Sequence, residues 1–137
     1  MFKLFILIFT FTPFFVAAED QFLKEFITGD YLLVGQELDT EKTYNGKVSI
    51  YLDDERLKVK RLINGQIIYG VAAFEPVLNN DSQVLRIRFS DKELQYEETC
   101  LLSSDLDNYA RISCYLYMPG VKTINPGLEV LFINHNK

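Results

Sequence analysis

The chain has no Trp, one His, two Cys and two Met. Each scarcity excludes something. One His and two Cys leave most familiar metal and catalytic constellations unfilled. There is no Gly-rich loop of the kind that cradles phosphate. Lys and Arg number 14 against 19 Asp and Glu, a formal net charge of −5. The clustered cations that nucleic-acid phosphates require are therefore lacking, and no nucleic-acid partner is expected. Only one long apolar run occurs, and it sits at the start.

That run reads as a secretory leader. Met1, Phe2 and Lys3 form a short basic start, and Leu4 to Val16 is uncharged and apolar. Val16, Ala17 and Ala18 supply small residues for cleavage before Glu19. A membrane span needs about 20 apolar residues, and this run is shorter, so no membrane span is expected. Residues 1–18 are thus expected to be a cleaved signal peptide and residues 19–137 a single domain. Removing 18 of 137 residues leaves 119, about one domain. The implied address is the periplasm or the exterior, an oxidising space. Cys100 and Cys114 fit it as a disulfide, because two cysteines in a small exported domain most often pair.

Past the leader, Phe22, Leu23, Phe26 and Ile27 recur at helical spacing, and Gly29 ends the run. A short helix over Glu19–Thr28 is expected. Eight alternating segments follow: Tyr31–Leu38, Lys47–Leu52, Arg56–Ile63, Gln66–Phe74, Gln83–Phe89, Glu93–Leu102, Tyr109–Met118 and Leu128–His135. Asn64-Gly65 is the strongest turn signal, since both residues tolerate the positive φ of a type I′ hairpin. The connections are too short for parallel crossovers. The expected fold is all-β: an eight-stranded antiparallel up-and-down β-barrel with a short N-terminal helix, a two-sheet sandwich being the alternative.

Side-chain alternation then assigns an inner face. A two-residue turn at Asp53-Asp54 sets Ile50 against Leu57 and Val48 against Val59. A turn at Asn64-Gly65 sets Arg61 against Ile68 and Val59 against Gly70. A turn centred on Asp107 sets Cys100 against Cys114, Glu98 against Leu116 and Tyr96 against Met118. Leu85, Ile87, Phe89, Leu94, Phe74 and Ile112 share that face. In strand eight, Leu128, Val130 and Phe132 compete with Leu131 and Ile133 for the interior, and strand one is equally ambiguous.

Arg61 and Glu98 do not belong in a dry core. They read either as anchors for the polar head of a ligand, with Tyr96, Phe74 and Phe89 as apolar contacts, or as a structural ion pair. Tyr115, Tyr117 and Arg111 lie on the outer face of strands six and seven, residue types enriched at binding hot spots. Catalysis finds little support. Ser103, Asp105 and His135 make a poor triad, because His135 is the third residue from the end of the chain. Asp105, Asp107 and Asn108 lack the Gly and terminal Glu of a calcium loop. Asn80-Asp81-Ser82 matches a glycosylation pattern. No catalytic residue, metal or cofactor is expected.

The leader, the short helix and Gly29-Asp30-Tyr31 opening the first of eight antiparallel strands resemble the calycin superfamily, which includes lipocalins and fatty-acid-binding proteins. Tyr31 stands where lipocalins carry the Trp of G-x-W, and no C-terminal helix follows strand eight. The resemblance implies an apolar ligand inside the barrel, with inner-face residues as contacts. The expected function is an exported, non-enzymatic binding protein carrying a small apolar or amphipathic ligand past a rim at Gly46 and Asn64-Gly65. The alternative is a protein-interaction or enzyme-inhibitor module acting through the Tyr115 face or the loops Ser103–Asn108 and Pro119–Gly127.

Overall fold

Tight turns dictate the chain path. In a computed structural model, residues 15–102 and 110–136 are described. Most of the expected signal peptide, residues 1–14, and Ser103, Asp105, Asp107 and Asn108 lie outside the described residues. The elements are α1 (Phe15–Ile27), β1 (Gly29–Gln36), β2 (Thr43–Asp53), β3 (Arg56–Ile63), β4 (Gln66–Val77), β5 (Ser82–Asp91), β6 (Leu94–Leu102), β7 (Ala110–Tyr117) and β8 (Gly127–Ile133). Each strand pairs antiparallel with its sequence neighbour, and β8 returns to β1, closing the barrel. Closure leaves no unpaired sheet edge. Among the described residues, no helix is long and apolar enough to cross a membrane.

The Asn64-Gly65 hairpin forms with Ile63 opposite Gln66 and Arg61 opposite Ile68, and both turn residues have positive φ. The Cys100–Cys114 disulfide joins directly opposite residues of β6 and β7. One register departs from expectation. The β2–β3 turn is Asp54-Glu55, not Asp53-Asp54, so Ile50 faces Val59 and Leu52 faces Leu57. The slip is of two residues, so every side chain keeps its face.

Gly29 turns the helix into the barrel. Its φ is +154°, and a Cβ there would lie 3.1 Å from the Ile133 side chain. Tyr31 follows, 1% exposed, and its hydroxyl donates to the Ile27 carbonyl at 2.7 Å. Ile27 and Tyr31 thereby pack into one end of the barrel. The helix starts at Phe15, ahead of the expected Glu19, and leaves Phe22 and Phe26 exposed while Ile27 is buried.

At the other end, the β1–β2 loop is tied to the β7–β8 connection. The Asp39 carboxylate accepts from the backbone N–H groups of Ile124 and Asn125, both at 2.8 Å. Between the ends, the core is the inner face: Val48, Ile50, Leu57, Val59, Leu85, Ile87, Ile112 and Leu131 are buried. Leu94, expected inside, is 51% exposed, because it opens β6 beside the Lys92-Glu93 turn, where the interior has already met solvent.

Candidate functional site

The ambiguity of β8 resolves around one residue. Gly127, Glu129 and Leu131 point inward and Leu128 outward. Glu129, 0% exposed, therefore joins Arg61 of β3 and Glu98 of β6 inside the barrel. Arg61 Nη1 donates to Glu98 Oε1 at 2.7 Å and to Glu129 Oε2 at 2.9 Å, and Nη2 donates to Glu129 Oε1 at 2.6 Å. The Arg61–Glu129 pair is thus bidentate, matching the planar fork of guanidinium to carboxylate. The Tyr44 hydroxyl of β2 also donates to Glu129 Oε1. Gly35 of β1 makes this possible, since a Cβ there would run into the Tyr44 ring, 2.7 Å from Cε2. Arg61 stacks over Phe89 at 4.2 Å, and Phe89 stacks on Tyr96 at 5.3 Å between ring centroids.

Burial and the neighbouring charges push the two carboxyls of this cluster in opposite directions. Burial raises the Glu98 carboxyl well above the ordinary range, and the neighbouring Glu129 charge raises it further, against the pull of Arg61. Burial also acts on Glu129, but Arg61 and the hydrogen bonds it receives outweigh that and hold it below the ordinary range. Burial works against the Arg61 charge, yet Glu98 and Glu129 keep it firmly protonated. Tyr44 is pushed up by burial and by Glu129, so it stays a neutral donor. These shifts favour a charged Arg61, an ionised Glu129 and a protonated Glu98, the combination that leaves no buried charge without a partner.

Above the cluster the barrel is hollow. A cavity of about 420 Å³ is lined by Leu38, Tyr44, Arg61, Ile63, Ile68, Phe89, Tyr96 and Leu116, with Glu37, Asn64, Gln66, Asp91 and Lys92 around the mouth. Its lining residues all belong to the end of the barrel opposite α1. Arg61 forms the floor with its two carboxylate partners beneath it, and aromatic and aliphatic side chains form the wall.

Among the expected ligand contacts, Arg61, Tyr96 and Phe89 line this cup. Glu98 lies beneath as a fully buried partner of Arg61. Phe74 is away from the cup; it pairs with Leu85 on β5 and packs against the core. Sequence reasoning passed over Glu129 and Tyr44. An acidic residue inside the apolar run Leu128–Ile133 was the available signal for the first. Tyr44 fell in a segment read as loop, and only the lengthening of β2 to Thr43 brings it inside.

The outer residues are divided. Tyr115 is 57% exposed. Tyr117 is half-buried and donates to Glu97 at 2.5 Å. Arg111 donates to the Phe26 carbonyl at 3.2 Å and lies 4.6 Å over its ring. Glu98, Cys100 and Cys114 bring potential metal ligands within 4.8 Å of one another, but both sulfurs are spent in the disulfide and offer no thiolate.

Fold and site together define a closed eight-stranded antiparallel barrel with a charged floor and an open apolar cup, an architecture consistent with a calycin-like barrel. Comparison with protein families, with curated proteins and with solved structures finds no match.

Proposed function

We propose that this protein is an exported, non-enzymatic carrier that holds a small amphipathic molecule in the cup. The observation that carries this reading is the cavity of about 420 Å³, walled by apolar and aromatic side chains and floored by a few convergent polar groups. That volume is typical of small-molecule sites, and an apolar and aromatic wall between a polar mouth and a charged floor suits an amphipathic molecule. The Cys100–Cys114 disulfide supports the exported address, because such bonds persist in oxidising compartments.

The floor also constrains the ligand's head. Both terminal nitrogens of Arg61 already donate to Glu98 and Glu129. Arg61 Nε has no partner among the described residues, but a fatty-acid carboxylate would bring a third acid to one guanidinium that Glu98 and Glu129 already share, which like-charge repulsion in a buried site disfavours. An uncharged head, such as a hydroxyl, carbonyl or amide, meets no such conflict. The apolar tail or ring then lies against Phe89, Tyr96, Ile63 and Ile68.

Native mass spectrometry of protein purified from its own compartment tests the reading. A co-purifying small molecule that leaves on denaturation is the expected result. Titration with N-phenyl-1-naphthylamine, an uncharged apolar fluorophore, should give saturable binding that a long-chain alcohol displaces better than the matching fatty acid. No bound molecule and no fluorophore binding would sink the carrier reading.

A further inference from the structure

Three lysines gather on the outer wall of β2 and β3. The registers place them in rows across the sheet. Lys47 faces Leu62, which faces Ile67 on β4. Lys60 faces Tyr69. Lys58 sits between Tyr51 and Val71. Ile67, Tyr69 and Val71 are 49%, 63% and 46% exposed. Large apolar and tyrosyl side chains thus alternate with cations over one continuous face.

The lysines are also unneutralised. Among the described residues, Lys24, Lys42, Arg61, Arg86 and Arg88 form ion pairs, and Lys47, Lys58 and Lys60 do not. The acids of the same hairpin, Asp53, Asp54 and Glu55, lie at its turn, at the end away from the cup. Asp30, on the flanking strand, accepts from the Ser49 hydroxyl at 2.6 Å. In a chain of net charge −5, a local cationic face of this kind gives the molecule an orientation towards a negative partner.

We infer that this wall docks on a bilayer surface bearing anionic headgroups. The face is a convex barrel wall of Lys, Tyr and aliphatic residues. Lys is depleted at protein interfaces, where Arg is favoured. It suits a bilayer surface, where its stem lies along apolar groups while the ammonium meets phosphate. Tyr likewise has an apolar ring and a polar tip that fit the headgroup layer. Leu62 and Ile67 flank the Asn64-Gly65 turn, and Asn64 and Gln66 stand at the cup's mouth. Docking by this wall therefore brings the mouth to the bilayer surface, where an amphipathic cargo resides. The inference goes beyond the carrier reading and does not depend on what the cup holds.

Flotation of the protein with vesicles tests it. Vesicles of phosphatidylcholine containing one-third phosphatidylglycerol should carry the protein upward at low salt, and pure phosphatidylcholine vesicles should not. Each lysine near such a surface contributes about a factor of five, so K47E/K58E/K60E should lower partitioning roughly 100-fold or more. A charge-matched variant, K24E/K122E/K137E, changes residues outside β2, β3 and β4 and should retain most of the binding. Ile67→Ser with Tyr69→Ser should weaken it without changing the net charge. Of the substituted wall residues only Lys58 is half-buried, the others being exposed, and circular dichroism of each variant checks folding. Absence of binding to the anionic vesicles overturns the inference. Equal loss in both triple variants also overturns it, because the effect would then be net charge alone. Binding to soluble polyglutamate but not to vesicles would overturn it in favour of an acidic protein partner.

Discussion

Arg61 and Glu129 meet inside the barrel through two parallel hydrogen bonds of 2.9 and 2.6 Å, although 68 positions separate them in sequence. One comes from β3 and the other from β8, so only the closed barrel brings them together. Glu98 completes the cluster from β6. Replacing Arg61 by Met leaves two buried carboxyls without their cation. We expect a loss of about 3–5 kcal/mol in urea unfolding. The triple replacement Arg61→Met, Glu98→Leu and Glu129→Leu should recover most of it, because a buried ion cluster gains little over well-packed apolar groups. A triple variant as unstable as Arg61→Met alone would show that the cluster stabilises the fold outright.

The two acids have opposite pH signatures. Glu129 is held low in the folded state, so its contribution is present at neutral pH and is lost as the pH falls through its depressed value. Glu98 is held high, so its contribution is full below the ordinary carboxyl range and is lost as the pH rises towards its folded value. Glu98→Gln removes the second effect and keeps the shape. As the pH rises above the ordinary carboxyl range towards the raised folded value of Glu98, the wild type should lose stability relative to E98Q. Parallel unfolding curves across that range would contradict the assignment of the proton to Glu98.

Gly35 reserves the space that Tyr44 occupies on its way to Glu129. Gly35→Ala overpacks this spot and should cost roughly 1–3 kcal/mol. Combining it with Tyr44→Leu should return part of the loss, since the clash is with the ring. Thermal melts of the two variants check this, and additive losses would disprove the steric coupling.

The Cys100–Cys114 bond closes a loop of sequence separation 14. The chain-entropy account gives it roughly 3 kcal/mol. Cys100→Ala with Cys114→Ala, or reduction of the wild type, should lower stability by about that much in denaturant titrations. An unchanged midpoint would place the loop's order elsewhere.

The cup makes a positional prediction. Phe89→Ala and Tyr96→Ala remove wall, so each should weaken fluorophore binding about tenfold or more, as aromatic anchors do. Phe74→Ala lies outside the cup and should lower stability while leaving affinity nearly unchanged. Equal effects from all three would move the binding site off the proposed wall.

Much of the fold was legible residue by residue. The Asn64-Gly65 turn, the facing of Arg61 with Ile68, and the cross-strand disulfide all follow from strict alternation and a two-residue turn. Where turn chemistry was degenerate, as in Asp53-Asp54-Glu55, the register moved by two residues but the face did not change. The candidate site was half legible. Arg61 and Glu98 stood out as charges on an apolar face, whereas Glu129 stood in a segment apolar on both sides.

The sequence by itself determined the strands, their antiparallel order and the inward parity of β2 to β7. Local alternation and short connections settle these, and they need no distant partner. Only the tertiary structure decided how β8 meets β1, and hence which side of β8 is inside. Leu128, Val130 and Phe132 balance Leu131 and Ile133, so apolar burial alone does not choose between the faces. The choice comes from closure, which pairs Leu33 with Leu131 and Val34 with Val130. It also comes from the Arg61 guanidinium, which a carboxylate at position 129 can reach only from within the barrel.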